Sequence, residues 1–347
     1  LLILFYFILS KMTKIENIKN ILVTGGSGFI ASHLVDRLVS LGHFVVNLDK
    51  LDYCSYDNTQ NIENKYKFIQ GNICNKELVS FILNEYTINV IFHLAAQTHV
   101  DNSFYNSTQF TMDNIVGTHN LLECMREYNE LKETKIEKFI HMSTDEVYGE
   151  VKQDESECTE KSLLKPTNPY SATKAGAELL ASSYYYSFNL PILIVRCNNV
   201  FGPRQYPEKV IPSFISNLLN SDKCYIHGEG FTERHFIYVD NVIDALLTIY
   251  EKGNISEVYN IACNECYKIN DLAKMLIKIL KNNECDNSEL NCDEFIEYVP
   301  DRKFNDFRYL ITSEKLEKLG WKPTIIFEEG LKRTIDYFKS LNNRITE

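Results

Sequence analysis

Two clusters of side chains in this sequence can do proton chemistry on a hydroxyl. Tyr170 and Lys174 stand four residues apart in PYSATK, directly after Pro169. On a helix, positions i and i+4 share a face, so the phenol and the ammonium can point the same way. A free tyrosine titrates near pH ~10, and a nearby cation favours its phenolate, moving it toward general-base strength. The second cluster is Thr144-Asp145-Glu146 in HMSTDEVYG. Thr144 ends an apolar run and can hydrogen-bond the same substrate hydroxyl. Adjacent carboxylates in a partly dry cleft can be driven to different pKa values, and so to acid and base roles. By themselves the clusters have plainer readings: a YxxxK on a helix surface, and an acid pair that caps a turn.

An upstream turn gives the tyrosine its context. Gly25-Gly26-Ser27-Gly28-Phe29-Ile30-Ala31 follows a strand-like run and opens an amphipathic one. Gly25 permits a tight turn, and Gly28 lets the backbone approach a pyrophosphate at the helix N-terminus. Asp49 ends the next apolar run, where a carboxylate accepts from a ribose 2′-hydroxyl and repels a 2′-phosphate. That favours NAD over NADP, although Lys50 follows immediately. Asn72 and Ile73 end the third run. Leu94, Ala95 and Ala96 end the fourth, their small side chains leaving room for a dinucleotide, and Thr98 follows. The reading is NAD held by Gly25, Gly28, Phe29, Ile30, Asp49, Lys50, Asn72, Ile73, Leu94, Ala95, Ala96 and Thr98, with Tyr170 and Lys174 beside its reactive end.

The elements that must position these groups alternate along the first half. NILVTG, FVVNLDK, YKFIQGNI, VIFHLAA, KFIHMSTDEVYG and PILIVRCNNVFG read as strands. GFIASHLVDRLVSLG, ELVSFILNEY, NIVGTHNLLECMREY and PYSATKAGAELLASSYYYSF read as helices between them. Continuous β-branched runs separated by helices predict a parallel sheet covered on both faces, an α/β doubly wound fold of Rossmann type. After Gly202 the rhythm loosens into Pro-, Gly- and charge-rich stretches. The expected division is residues 20–202 as a dinucleotide-binding domain, helped by later segments, and 203–347 as a smaller substrate-binding lobe. KNNECDNSELNCDEF reads as a surface loop.

Composition narrows the rest. A net charge of −11 argues against general nucleic-acid binding, which needs a positive footprint. The 21 Tyr and 20 Phe supply apolar area for a large core. Ten Cys lie without disulfide-like spacing, which suits buried thiols in a reducing, cytoplasmic setting. Cys263 and Cys266 form one CxxC, but Cys285 and Cys292 have the wrong spacing to complete a zinc knuckle, so no metal is expected. LLILFYFILS is too short to span a bilayer and lacks the basic start of a signal peptide. With Met12 the first methionine, residues 1–11 read as an upstream extension within a non-native or disordered segment 1–19, and no membrane partner is expected.

Taken together these stretches resemble the extended short-chain dehydrogenase/reductase family, and within it the nucleotide-sugar 4,6-dehydratases. The resemblance runs from about Asn20 to Tyr337. YxxxK and the glycine turn mark the superfamily; STDEVYGE marks the dehydratases. AAQTHVDNS, NPYSATKAGAE, NNVFGPRQYPEKVIP and YNIA agree. LDKLDYCS, QTHVDNSF and RKFNDFRY look most like the UDP-glucose 4,6-dehydratase domain of plant rhamnose synthases and related viral enzymes. Asn305 and Phe307 stand where dTDP-glucose enzymes more often carry His and Arg, which leaves UDP or dTDP open.

The resemblance implies a nucleoside-diphosphate glucose as substrate and a homodimer through the helices of Asn114 and Tyr170. It implies that Tyr170 takes the C4 hydroxyl proton, Glu146 removes and returns the C5 proton, and Asp145 protonates the departing C6 hydroxyl. Asn114 matches an Asn that anchors a water near the lysine. Thr98, Thr144, Asn199, Glu208, Lys209, Arg234, Asn270 and Arg302 would anchor the substrate, Ile226–Gly228 flanking its base. Arg234 and Arg302 have an independent argument, since a diphosphate wants fixed planar donors. A sugar-nucleotide 4-epimerase and a silent NAD-binding protein are the competing readings; the acid pair counts against the first, the intact Thr144, Tyr170 and Lys174 against the second.

Overall fold

The computed structural model describes residues 18–55, 64–281 and 290–346. Most of the 1–19 extension and the centre of the polar stretch 281–295, Cys285 included, lie outside them.

Seven strands form one sheet in the order β10-β6-β5-β4-β1-β2-β3. They are β1 (Asn20–Thr24), β2 (Phe44–Asp49), β3 (Tyr66–Gln70), β4 (Val90–His93), β5 (Lys138–Thr144), β6 (Ile192–Cys197) and β10 (Val258–Ile261), every pairing parallel. The apolar runs are continuous because both faces are covered. Successive residues of a strand point to opposite sides, and the core divides accordingly. Ile21, Val23, Phe92 and Ile140 pack on one side of the sheet, Leu22, Ile91 and Phe139 on the other. Helices α1 (Phe29–Ser40), α2 (Lys76–Glu85), α3 (Gly117–Leu131) and α4 (Pro169–Phe188) alternate with these strands. Topology therefore reverses at β1 and β4, where doubly wound sheets bind ligands.

Helix α4 carries the YxxxK pattern, and its start is strongly specified. Asn168 caps it, accepting from Ser171 N–H at 2.8 Å, while Ser171 Oγ accepts from Asn168 N–H and Pro169 sits in the first turn.

Two small sheets follow, mostly within the segment expected to form a second lobe. One joins β7 (Asn199–Phe201), β9 (Glu233–Tyr238) and β11 (Cys266–Lys268); the other pairs β8 (Cys224–His227) with β12 (Ile296–Val299). Helices α5 (Val210–Leu219), α6 (Val239–Lys252), α7 (Ile269–Lys281) and α8 (Phe327–Thr346) complete the fold. Two sequence expectations change. PILIVRCNNVFG is not one strand: it breaks at Asn198, leaving β6 in the large sheet and passing β7 to the lobe. Residue 202 is thus no clean boundary, because β7 before it serves the lobe and β10 after it completes the large sheet. KFIHMSTDEVYG is likewise a strand only to Thr144. Asp145–Tyr148 form a 3-10 turn, with Thr144 Oγ1 accepting from Glu146 N–H at 3.3 Å.

Candidate active site

One cleft of about 470 Å³ runs from the glycine turn to the second lobe. The cofactor half is shaped by close backbone approach. Gly25 has φ +71°, and a Cβ there would sit 2.7 Å from Ala95 Cα. Asp49 Oδ2 accepts from Ser27 N–H at 3.0 Å and Oδ1 from Leu51 N–H at 2.8 Å, which fixes the carboxylate at the end of β2. Lys50 Nζ is clamped by Asp113 at 2.7 Å and Asp52 at 3.0 Å. Its charge is neutralised there, which removes its argument for a 2′-phosphate. Asn72 spends its side-chain oxygen on Cys74 N–H at 2.9 Å. Gly25, Gly28, Phe29, Ile30, Asp49, Lys50, Asn72, Ile73, Leu94, Ala95, Ala96 and Thr98 all line the cleft. A glycine cradle at a helix start, a buried acid at the tip of β2 and small residues ending β4 fit NAD.

Thr144, Glu146, Tyr170 and Lys174 line the same cleft further along. The phenol of Tyr170 is buried and pushed above its ordinary value, first by burial and then by Glu146, against a hydrogen bond with Thr144. Lys174, expected to lower it, is not among the groups that act most on it. Lys174 donates instead to the Met142 carbonyl at 2.6 Å, and burial holds its own pKa down at about 8, against the pull of Glu178. The ammonium that shares a helix face with Tyr170 is thus held by a strand carbonyl.

The two carboxylates are separated by environment. Asp145 is 2 % exposed and lies behind the cleft wall. Burial raises its pKa to about 7, against the Asn198 hydrogen bond, and Glu146 adds to the rise. Asn198 Nδ2 donates to Asp145 Oδ2 at 2.8 Å, and Thr144 Oγ1 to Asp145 Oδ1 at 3.2 Å. Glu146 faces the cleft. Burial raises its pKa too, while Asn168, Arg234 and Lys209 oppose that rise. Asn168 Nδ2 reaches Glu146 Oε2 at 3.2 Å, and Tyr309 Oη stands 3.5 Å from the same oxygen. Asn168, Asn198 and Tyr309 were not singled out from sequence. Asn168 had a signal, since Asn-Pro is a helix start; the other two had none.

Asn114 sits on a π-helical turn, Thr111–Val116, before α3. Its amide accepts from Gln97 N–H at 2.7 Å and donates to Thr173 Oγ1 at 2.9 Å. It ties the segment after β4 to the residue preceding Lys174, and does not line the cleft.

From the second lobe Asn199, Glu208, Lys209, Arg234 and Arg302 reach the cleft. The Arg234 guanidinium lies 5.1 Å from the Tyr309 ring centre and donates to Phe307 O at 3.0 Å and Asn305 Oδ1 at 3.0 Å. These contacts hold the guanidinium at the cleft, and Asn305, which departs from the dTDP pattern, makes one of them. Arg302 meets Asp101 at 3.2 Å, and Lys209 donates to Thr98 O at 3.0 Å, joining the lobes. Asn270 stands apart from the rest. It does not line the cleft, and its amide donates to Glu229 O at 2.7 Å. Of Ile226–Gly228, only His227 faces the cleft; Ile226 is in the core.

A family profile described as GDP-mannose 4,6 dehydratase matches residues 22–334. The chain is 45 % identical to the dTDP-D-glucose 4,6-dehydratase of Homo sapiens, across 92 % of this chain and 90 % of that one. It is 44 % identical to a trifunctional UDP-glucose 4,6-dehydratase/UDP-4-keto-6-deoxy-D-glucose 3,5-epimerase/UDP-4-keto-L-rhamnose-reductase of Arabidopsis thaliana, across 92 % of this chain and 47 % of that longer protein. Among solved structures, DesIV, a dTDP-glucose 4,6-dehydratase of Streptomyces venezuelae with NAD and TYD bound, has a TM-score of 0.84 at 31 % identity, covering 94 % of this chain and 98 % of that one. A UDP-glucose 4-epimerase of Thermotoga maritima with UDP-glucose reaches 0.83 at 32 %, covering 93 % and 99 %. Overall shape is common to both chemistries, and the residues of the cleft must distinguish them.

Proposed function

This chain belongs to the GDP-mannose 4,6-dehydratase family, and from that premise we propose that it is an NAD-dependent hydro-lyase converting UDP-glucose or dTDP-glucose to the 4-keto-6-deoxyglucose nucleotide. The observation that carries this reading is the divided acid pair. Asp145 is buried with a pKa near 7, Glu146 faces the cleft, and both adjoin Tyr170. A 4-epimerase has no use for a second proton donor and acceptor beside the tyrosine.

NAD, when bound, supplies reversible two-electron chemistry at the sugar and a ring cation beside the phenol. Tyr170, hydrogen-bonded by Thr144, takes the C4 hydroxyl proton. The 4-ketone acidifies C5–H, and Glu146 removes that proton and later returns it. Asp145, protonated below about pH 7, supplies a proton to the departing C6 oxygen, and its Oδ1 meets the Thr144 hydroxyl at the cleft wall. Lys174 adds positive potential, and Asn114 fixes the segment that carries Gln97 and Thr98. Arg234, Arg302 and Lys209 supply cationic donors to the diphosphate, with Thr98, Asn199 and Glu208 beside them. The relatives put dTDP- and UDP-glucose enzymes level, at 45 % and 44 % identity.

Incubation with each nucleotide sugar, without added NADH, tests the reading. The expected product carries a 4-keto group and a C6 methyl by NMR, and kcat/KM ranks UDP against dTDP. No keto-sugar from either would overturn it.

The chain pairs with a second copy through α3 and α4. Met112 and Val116, 43 % and 39 % exposed on the turn before α3, and Leu179 and Tyr186, 64 % and 82 % exposed on α4, are apolar groups that invite cover. V116E/L179E converting a dimer to a monomer on sedimentation would support this; an unchanged wild-type monomer would refute it. A cytoplasmic setting is supported by the nine described cysteines, all free thiols, and no helix of the described residues is long and apolar enough to cross a membrane.

A further inference from the structure

Tyr309 offers one phenolic proton and has two carboxylates to give it to. Asp306 Oδ2 lies 2.5 Å from its Oη, Glu146 Oε2 lies 3.5 Å away. The shorter contact takes the proton. Asp306 is well placed to keep it: it is 2 % exposed, and the same Oδ2 accepts from Thr167 Oγ1 at 2.7 Å, while its Oδ1 has no partner among the described residues. Among the described residues no salt bridge neutralises this carboxylate, so it is a strong acceptor in dry surroundings. With its proton committed to Asp306, Tyr309 presents only lone pairs to Glu146. A lone pair repels a carboxylate and accepts from a carboxylic acid.

We propose that Asp306 is a positioning residue which, by orienting the Tyr309 proton away from Glu146, makes Tyr309 an acceptor for the proton that Glu146 carries during the reaction. Asp306 also holds Thr167, and the next residue, Asn168, is the donor on the other side of Glu146. One buried acid thereby sets both neighbours of the cleft-facing carboxyl. The negative charge of Asp306 acts in the same direction, raising the Glu146 pKa. The role rests on Glu146 being the group that holds the C5 proton, and one arm of the test is independent of turnover.

D306A frees Tyr309 to turn its hydroxyl toward Glu146 and stabilise the carboxylate. Asn at the same site keeps an acceptor oxygen for Tyr309, so D306N restores part of the wild-type behaviour. The direct measurement is the carboxylic C=O stretch of Glu146, assigned by subtraction of E146Q in the NAD complex, followed against pH. The expected result is a midpoint lower in D306A by about one unit, recovered in part by D306N, and a clearly smaller further shift, that of the lost charge alone, when D306A is added to Y309F. In turnover, kcat in D306A falls on the order of tenfold or more with KM within about threefold, and the acid limb of kcat moves to lower pH. An unmoved Glu146 midpoint in D306A, or a shift that persists undiminished in Y309F, overturns the proposal whether or not the substrate is a glucose nucleotide. Should D306A not fold, Y309F alone decides: it removes the acceptor, and an unaltered Glu146 midpoint sinks the idea.

Discussion

Asn198 bridges Asp145 to the second lobe: its Nδ2 donates to Asp145 Oδ2 at 2.8 Å while its Oδ1 accepts from Cys263 N–H at 3.0 Å. The backbone contact fixes which way the amide points, so the donor end must face the acid. Donation to the ionised form lowers the Asp145 pKa against the larger effect of burial. Asn198→Ala is therefore expected to raise the Asp145 pKa and carry the alkaline limb of kcat to higher pH. It also strands the Cys263 N–H, at about 1–3 kcal/mol of stability. A pH–rate profile with thermal denaturation checks both; a limb moving to lower pH would contradict the bridge.

Asp145 itself couples activity to stability. Its folded pKa of about 7 lies above the ordinary 3.8. A raised value means the acid's contribution is complete below its unfolded pKa and is lost as pH rises through about 7. D145N, which cannot ionise, should abolish dehydration yet melt higher than wild type at pH 8, by about 2–5 °C, with a smaller gain at pH 5, which lies between the unfolded and folded pKa values. A Tm gain independent of pH would mean that charge burial is not the cause.

The dinucleotide turn, the Thr-Asp-Glu and YxxxK clusters and the doubly wound sheet were legible because each is local: a strand end, a turn and a helix start carry their own residue signals. What was illegible came from distance. Asn198 acts through Cys263, and Tyr309 meets Glu146 across 163 positions; no spacing rule connects them. Lys174 illustrates a different limit. Its periodicity gave the correct face, but the acceptor it found, Met142 O, belongs to β5, and only assembled packing shows which acceptor it meets. The break between β6 and β7 was hidden because Val200 and Phe201 resume an apolar run after only Asn198 and Asn199.

Gly25 tests the cofactor cradle. Its positive φ and the 2.7 Å that a Cβ would leave to Ala95 Cα make Gly25→Ala strained twice over. The expected cost is about 1–3 kcal/mol, with NAD content of the purified protein falling at least tenfold. Full NAD occupancy in the variant, read from absorbance of the released nucleotide, would place the dinucleotide elsewhere.

Glu178 lies one turn beyond Lys174 and couples it to the core. Its carboxylate holds buried Arg196 at 2.7 Å, and Arg196 lies 4.7 Å from the Tyr148 ring centre and donates to its hydroxyl at 2.6 Å. Glu178 is also what supports the Lys174 charge against burial, and the balance of the two leaves its pKa at about 8. Glu178→Gln keeps the shape and removes the charge. It should cost about 3–5 kcal/mol, because Arg196 is left charged and unpaired in the interior. It should also lower the Lys174 pKa, so that the ammonium is lost at a lower pH and NAD binding weakens there. Fluorescence titration with NAD from pH 6 to 9, alongside urea unfolding, separates the two effects: the stability loss appears at every pH, the affinity loss only as the lysine deprotonates. If NAD affinity in the variant falls by the same factor at pH 6 as at pH 9, Glu178 acts on the fold alone and not on Lys174.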